Sequence, residues 1–162
     1  MITTQRSCSI LLGLMLFGSA AAAQQAGSPV VTPAADAITT ASGLIADGNY
    51  RDAERILRDF IDNQRRHGEF NVSAYRQLAN SQYARNDLIE AARTLTDLAS
   101  EAGRAHDIEI EIRARADASL LWSEAGQRSR AMVQLERVNF LLRRAEVTAQ
   151  TRQYALARSG NP

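Results

Sequence analysis

Residues 79–98 read ANSQYARNDLIEAARTLTDL: a small residue at Ala79, a turn former at Asn86, a second small residue at Ala91, then Leu95 and Leu98. The same order occurs earlier as Ala41, Gly48, Ala53, Leu57 and Phe60, and later as Ser119, Gly126, Ala131, Leu135 and Val138, at offsets of 38 and 40 residues. Gly and Asn tolerate a left-handed backbone, which ends one helix and turns the chain into the next. Each of Gly48, Asn86 and Gly126 stands between helically periodic segments, so each marks a hairpin bend. A small residue on either side of the bend lets two helix axes approach, and apolar residues three apart form a stripe toward the partner helix. The recurrence therefore predicts three antiparallel helix pairs, over 36–67, 71–102 and 106–145, with longer loops between pairs at His67-Gly68-Glu69 and Ala102-Gly103-Arg104.

Composition agrees. Of 162 residues, 45% are hydrophobic and 23% charged, which excludes a collagen-like or wholly disordered chain. The three prolines are Pro29, Pro33 and Pro162, so nothing between Ala34 and Asn161 forbids helix on that ground. One segment competes: Asp107-Ile-Glu-Ile-Glu-Ile112 alternates with the period of a strand, yet Glu109 with Arg113 and Glu111 with Arg115 are acid-before-base pairs at helical spacing. Helix is favoured. From Arg128 to Arg158 there is neither Gly nor Pro, so the end is either one long helix or a helix followed by a cap, with any break near Ala145 to Thr148. Leu141, Leu142, Val147, Tyr154 and Leu156 are the candidates for its packing face.

Residues 1–23 place Arg6 before an apolar run from Ile10 to Phe17 and end in Ala21-Ala22-Ala23, the order of a cleaved secretory signal peptide. The stretch from Ile10 to Ala23 is short of the roughly 20 residues a membrane-spanning helix needs. Residues 24–35, QQAGSPVVTPAA, read as a flexible linker before a helical domain over 36–158. Cys8 is the only cysteine, in the wrong context for lipid attachment, and its loss with the leader leaves a mature chain without disulfides, zinc thiolates or a cysteine nucleophile. Export to the periplasm, or full secretion, is the expected address.

All 19 basic residues are Arg, against 18 acids. Between Arg128 and Arg158 seven Arg face two Glu, so this end carries a net +5 while the whole is balanced, which argues against nucleic acid as partner.

On these residues the chain resembles the tetratricopeptide-repeat family, helix-turn-helix units of about 34 residues that stack into a superhelix. The second unit is the nearest: Tyr75, Leu78 and Ala79 match the first-helix aromatic, leucine and small positions, followed by Asn86-Asp87-Leu88 at the turn and Ala91 beyond. Gly48-Asn49-Tyr50 with Ala53 looks like the family's turn and alanine, whereas in the third unit Arg128 and Ser119 replace a turn aromatic and a small residue. The longer repeat, the missing proline after each pair, and Leu57, Leu95 and Leu135 in place of a large aromatic are departures. The expected fold class is all-α: antiparallel helix pairs stacked as a short solenoid with a C-terminal capping or extended helix, a different antiparallel bundle being the alternative.

The resemblance implies a concave wall made by the first helices, which receives a protein or peptide. Transferred to this sequence it puts Arg76, Asn80 and Tyr83 from the second unit, and Arg113, Leu120 and Ser123 from the third, on that wall. Arg76 with Asn80 looks like half of a clamp for a peptide's terminal carboxylate, but Asp117 stands where the other half wants an amide and would repel that ligand. The alternative partner surface is the basic end, Arg137, Arg143, Arg144, Arg152 and Arg158, facing anionic membrane or an acidic protein. Catalysis has little to stand on: there is no phosphate loop and no His-Glu-x-x-His pair, and His67 and His106 sit at predicted helix boundaries. No metal and no cofactor are expected. Trp122 is read as core, and Tyr83 as either groove or packing.

Overall fold

A computed structural model of the protein describes residues 33–158. The expected signal peptide, Cys8 and most of the expected linker lie outside the described residues. Within them the chain is all-helical: α1 Pro33–Ala46, α2 Tyr50–Arg66, α3 Val72–Ala84, α4 Leu88–Arg104, α5 Ile108–Glu124, α6 Arg128–Arg144 and α7 Ala149–Arg158. Each helix from α1 to α5 packs on the next, α1 also reaches α3, and α7 packs on α5. Helix α1 opens at Pro33, inside the stretch expected as linker, at a first-turn position that needs no backbone donor.

One turn is used five times. Gly48, Gly68, Asn86, His106 and Gly126 all take a left-handed backbone, with φ of 77°, 72°, 61°, 59° and 74°. The residue after each donates its N–H to a carbonyl five positions back: Asn49 to Leu44, Glu69 to Gln64, Asp87 to Gln82, Asp107 to Ala102 and Gln127 to Trp122, at 2.7–3.0 Å. This closure satisfies carbonyls that a helix end otherwise leaves bare, and it reverses the chain tightly enough for neighbouring helices to pack. The loop expected at Ala102-Gly103-Arg104 is instead helical, and the turn falls at Ala105-His106-Asp107. Gly103 serves close approach rather than bending, since a Cβ there would sit 3.1 Å from Oε2 of Glu111. Of the five connections built on this turn the α2–α3 one is longer than the rest; there Asn71 Oδ1 caps α3 by accepting from Ala74 N at 3.0 Å.

The paired small residues Ala41/Ala53, Ala79/Ala91 and Ser119/Ala131 are all buried, as are Leu57, Leu95, Leu98 and Val138. Phe60 and Leu135 are only half-buried. Trp122 lies in the core. At the carboxyl end Leu141 and Leu142 are buried, but Leu156 is exposed and Ala155 takes the inward position on α7.

The alternating Asp107–Ile112 segment begins α5, with Asp107 Oδ1 accepting from Ile110 N at 3.0 Å as an N-cap. Its strand-like rhythm has a helical cause. Ile110, Ala114 and Ala118 form one row four residues apart in the main core, while Ile108, Ile112 and Ala116 form another in a second cluster with Val138, Leu141, Leu142 and Ala155. Rows two residues apart lie on nearly opposite sides of a helix, so a helix buried on both sides reads as alternation.

The left-handed turns give a two-sided test. Gly126 has open space where a Cβ would stand, so Gly126→Ala should cost about 1 kcal/mol through backbone conformation alone. His106→Gly should leave stability unchanged or raise it by up to about 1 kcal/mol. Leu98→Ala, which empties a fully buried site, should cost about 2–5 kcal/mol. Urea titration of the three variants measures all of these.

Candidate functional site

A cleft of about 500 Å³ lies between α3, α5 and α7. Arg76, Ala79, Asn80 and Tyr83 of α3 line one side, Asp117, Leu120, Leu121 and Glu124 of α5 the other, with Leu95 of α4 between and Tyr154 and Arg158 of α7 closing the far end. The inward members Ala79 and Leu95 are buried and apolar, whereas Tyr83 stands 52% exposed at the rim. The spacing of Arg76, Asn80 and Tyr83 sets this arrangement, because residues four and three apart share one helix face.

Four of the six residues expected on the inner wall, Arg76, Asn80, Tyr83 and Leu120, therefore line one cleft. The other two do not. Arg113 is turned toward α7, where its Nε donates to Thr151 Oγ1 at 2.9 Å and its guanidinium lies 5.7 Å from the Tyr154 ring centre. Ser123 is exposed and outside the lining. Glu124, Tyr154 and Arg158 were not anticipated there. The i, i+4 pair Tyr154/Arg158 signals that the two side chains act together, but the docking of α7 onto α5 is tertiary and no spacing announces it.

Asp117 is already engaged. The Tyr154 hydroxyl donates to both carboxylate oxygens, at 2.6 and 2.8 Å, and Arg158 Nε lies 3.4 Å from Oδ1 while its guanidinium stacks 5.3 Å from the Tyr154 ring centre. Burial first, and the bond to Asp117 second, push the Tyr154 hydroxyl above its ordinary pKa. Arg76 and Glu124, by contrast, have no ion pair or hydrogen bond among the described residues. The cleft thus offers one uncommitted cation, one uncommitted anion, the amide of Asn80 and an apolar floor. This suits a peptide-like segment with side chains of mixed character. No cluster of three His, Cys, Asp or Glu suited to a metal occurs among the described residues. His67 ends α2, with Nδ1 2.8 Å from the Asn63 carbonyl, and His106 lies in the α4–α5 turn. Neither lines the cleft.

The five basic residues of the alternative surface do not form one stripe. Arg158 lines the cleft, Arg137 Nε is 3.0 Å from buried Glu111, and Arg152 donates to the Leu142 carbonyl at 3.2 Å. Arg144 lies over Phe140, and Arg143 projects without a partner among the described residues.

The cleft wall made by α7 hangs on two carboxylates of α5. Besides Asp117, Glu109 accepts from Thr148 N at 2.6 Å, from Thr148 Oγ1 at 2.9 Å and from Thr151 Oγ1, so a side chain of α5 caps the amino end of α7. These bonds, the Thr148 backbone N–H foremost, hold Glu109 below the ordinary carboxylate range. No family model, curated protein or solved structure matches this chain.

A carboxylate depressed in the folded state stabilises above its unfolded pKa, and that contribution fades as pH falls through the folded value. Docking of α7 should accordingly hold at neutral pH and loosen below about pH 4. Glu109→Ala should raise hydrogen exchange of residues 149–158 at pH 7 and leave α1–α4 unchanged, which mass spectrometry of peptic fragments will measure.

Proposed function

We propose that this protein is an exported, non-enzymatic adaptor that receives a segment of another protein in the cleft between α3, α5 and α7. Export rests on the charged, apolar and small-residue order of residues 1–23, and a periplasmic address suits it. The tetratricopeptide-like reading of the helix pairs is supported by the packing of α1 on α3 and of α5 on α7, first helices touching first helices at both ends of the row, while α3 and α5 face each other across the cleft.

The observation that carries the reading is the composition of the cleft. Ala79, Leu95, Leu120 and Leu121 offer an apolar floor, and around it Arg76, Asn80, Tyr83 and Glu124 present polar groups that internal bonds do not consume. Their helices are fixed by packing before any partner arrives, so association loses little ordering entropy beyond that of the ligand. Tyr83 is of a residue type enriched among the side chains that dominate binding energy, with a large apolar ring and a polar tip.

Arg76→Glu and Tyr83→Ala should each weaken partner capture from native envelope extract at least tenfold while leaving the melting temperature within about 2 °C, because both residues are exposed. A photo-reactive residue at position 80 should cross-link to the same partner. Equal recovery by wild type and both variants removes the cleft from the interaction.

A further inference from the structure

The outward face of α6 differs from those of the other second helices. Met132 and Val133 are 55% and 59% exposed, and Phe140 is 40% exposed, so three of the six large hydrophobic residues exposed among the described ones stand on this single helix. Helix α2, in the corresponding place of the first pair, has none of them and mixes Arg with Asp and Glu in near balance. Helix α6 has five Arg against Glu136 alone.

Two details turn this face into a surface with a shape. Val133 forms one wall of a cleft of about 320 Å³ whose other sides are Thr96, Trp122, Ser129, Arg130 and Gln134, and whose lining is almost wholly apolar. Arg130 lies 4.7 Å from the Trp122 ring centre and lids that floor. Two turns further on, Phe140 is held between the guanidinium groups of Arg137 and Arg144, at 5.4 and 5.1 Å. Of the five α6 guanidinium groups only Arg137 is paired with a carboxylate among the described residues, where Arg128, Arg130, Arg143 and Arg144 keep their charge unneutralised. The spacing of Val133 and Phe140, seven residues along one helix, matches two turns of a second helix laid beside it.

We infer that the outer face of α6 is a second docking surface, separate from the cleft of α3, α5 and α7, and that it takes an acidic amphipathic segment of a partner protein. One apolar side chain of that segment fills the Trp122–Val133 cleft, another covers Phe140, and its carboxylates meet the arginines that α6 leaves unpaired. A second copy of this chain is excluded as an α6-to-α6 partner by the repulsion of like charges. A bilayer fits less well, because a flat interface has nothing to place in a cleft floored by an indole.

The test is unbiased selection on the whole folded chain. A display library of random 16-residue peptides is enriched on wild type and counter-selected on Val133→Glu/Phe140→Ser, whose changed positions are exposed and whose folding is checked by circular dichroism. The enriched peptides should carry an excess of Asp and Glu over Lys and Arg. They should perturb the emission of Trp122, the only tryptophan, lose at least tenfold in affinity for the double variant, and weaken in higher salt. Arg76→Glu should leave their binding unchanged, so failure here is distinct from failure at the other cleft. No enrichment, or enriched peptides without an acidic excess, overturns the inference. So does co-sedimentation of wild type, but not the double variant, with vesicles containing phosphatidylglycerol, which assigns the face to membrane.

Discussion

Helix α5 is the constraint on which the carboxyl-terminal half depends. It is covered by α4 on one side and by α6 and α7 on the other, so two of its four rows must be small or apolar. The remaining rows are charged and equally committed. Glu111, almost fully buried, takes Arg115 at 2.9 Å and Arg137 at 3.0 Å, and Arg115 reaches on to Gln134 of α6 at 2.8 Å. Glu109 and Asp117 hold α7. A buried carboxylate is tolerable only with such partners, and taking one away strands the other charges in low dielectric. The net positive charge of Arg128–Arg158 thus has part of its counter-charge in the acids of α5, which face it across the helix contacts.

Much of the fold was legible because the turn chemistry is local. Gly48, Asn86 and Gly126 declare the left-handed backbone in their residue types, and the small and apolar residues at fixed distances from them lie in the core. His106 hides the same turn, because histidine signals a positive φ far less plainly than glycine does, and nearby Gly103 draws attention to itself while serving a different need. The strand-like rhythm of 107–112 misleads for a comparable reason: burial on two sides is a property of neighbours, which a single segment does not contain.

The candidate site was legible on α3 and half legible beyond it. Arg76, Asn80 and Tyr83 share a face by spacing alone, and Leu120 joins them across the cleft. Arg113 has the same register as a wall residue but finds Thr151 and Tyr154 first, since α7 lies where a ligand was expected to reach it. Tyr154 and Arg158, read as packing and surface charge, become wall residues for the same cause. Asp117, which looked like an obstacle to an anionic ligand, has its charge largely answered by α7.

The connectivity also decides how the molecule yields to mechanical load. A pull on the carboxyl terminus is transmitted through α7, which is short, buries little apart from Thr151 and Ala155, and leans on α5. Tension would be borne first at the Asp117 end and then at Glu109, so the last helix peels away while the hairpins behind it stay folded. Detachment would dismantle one wall of the cleft before it disturbed the other.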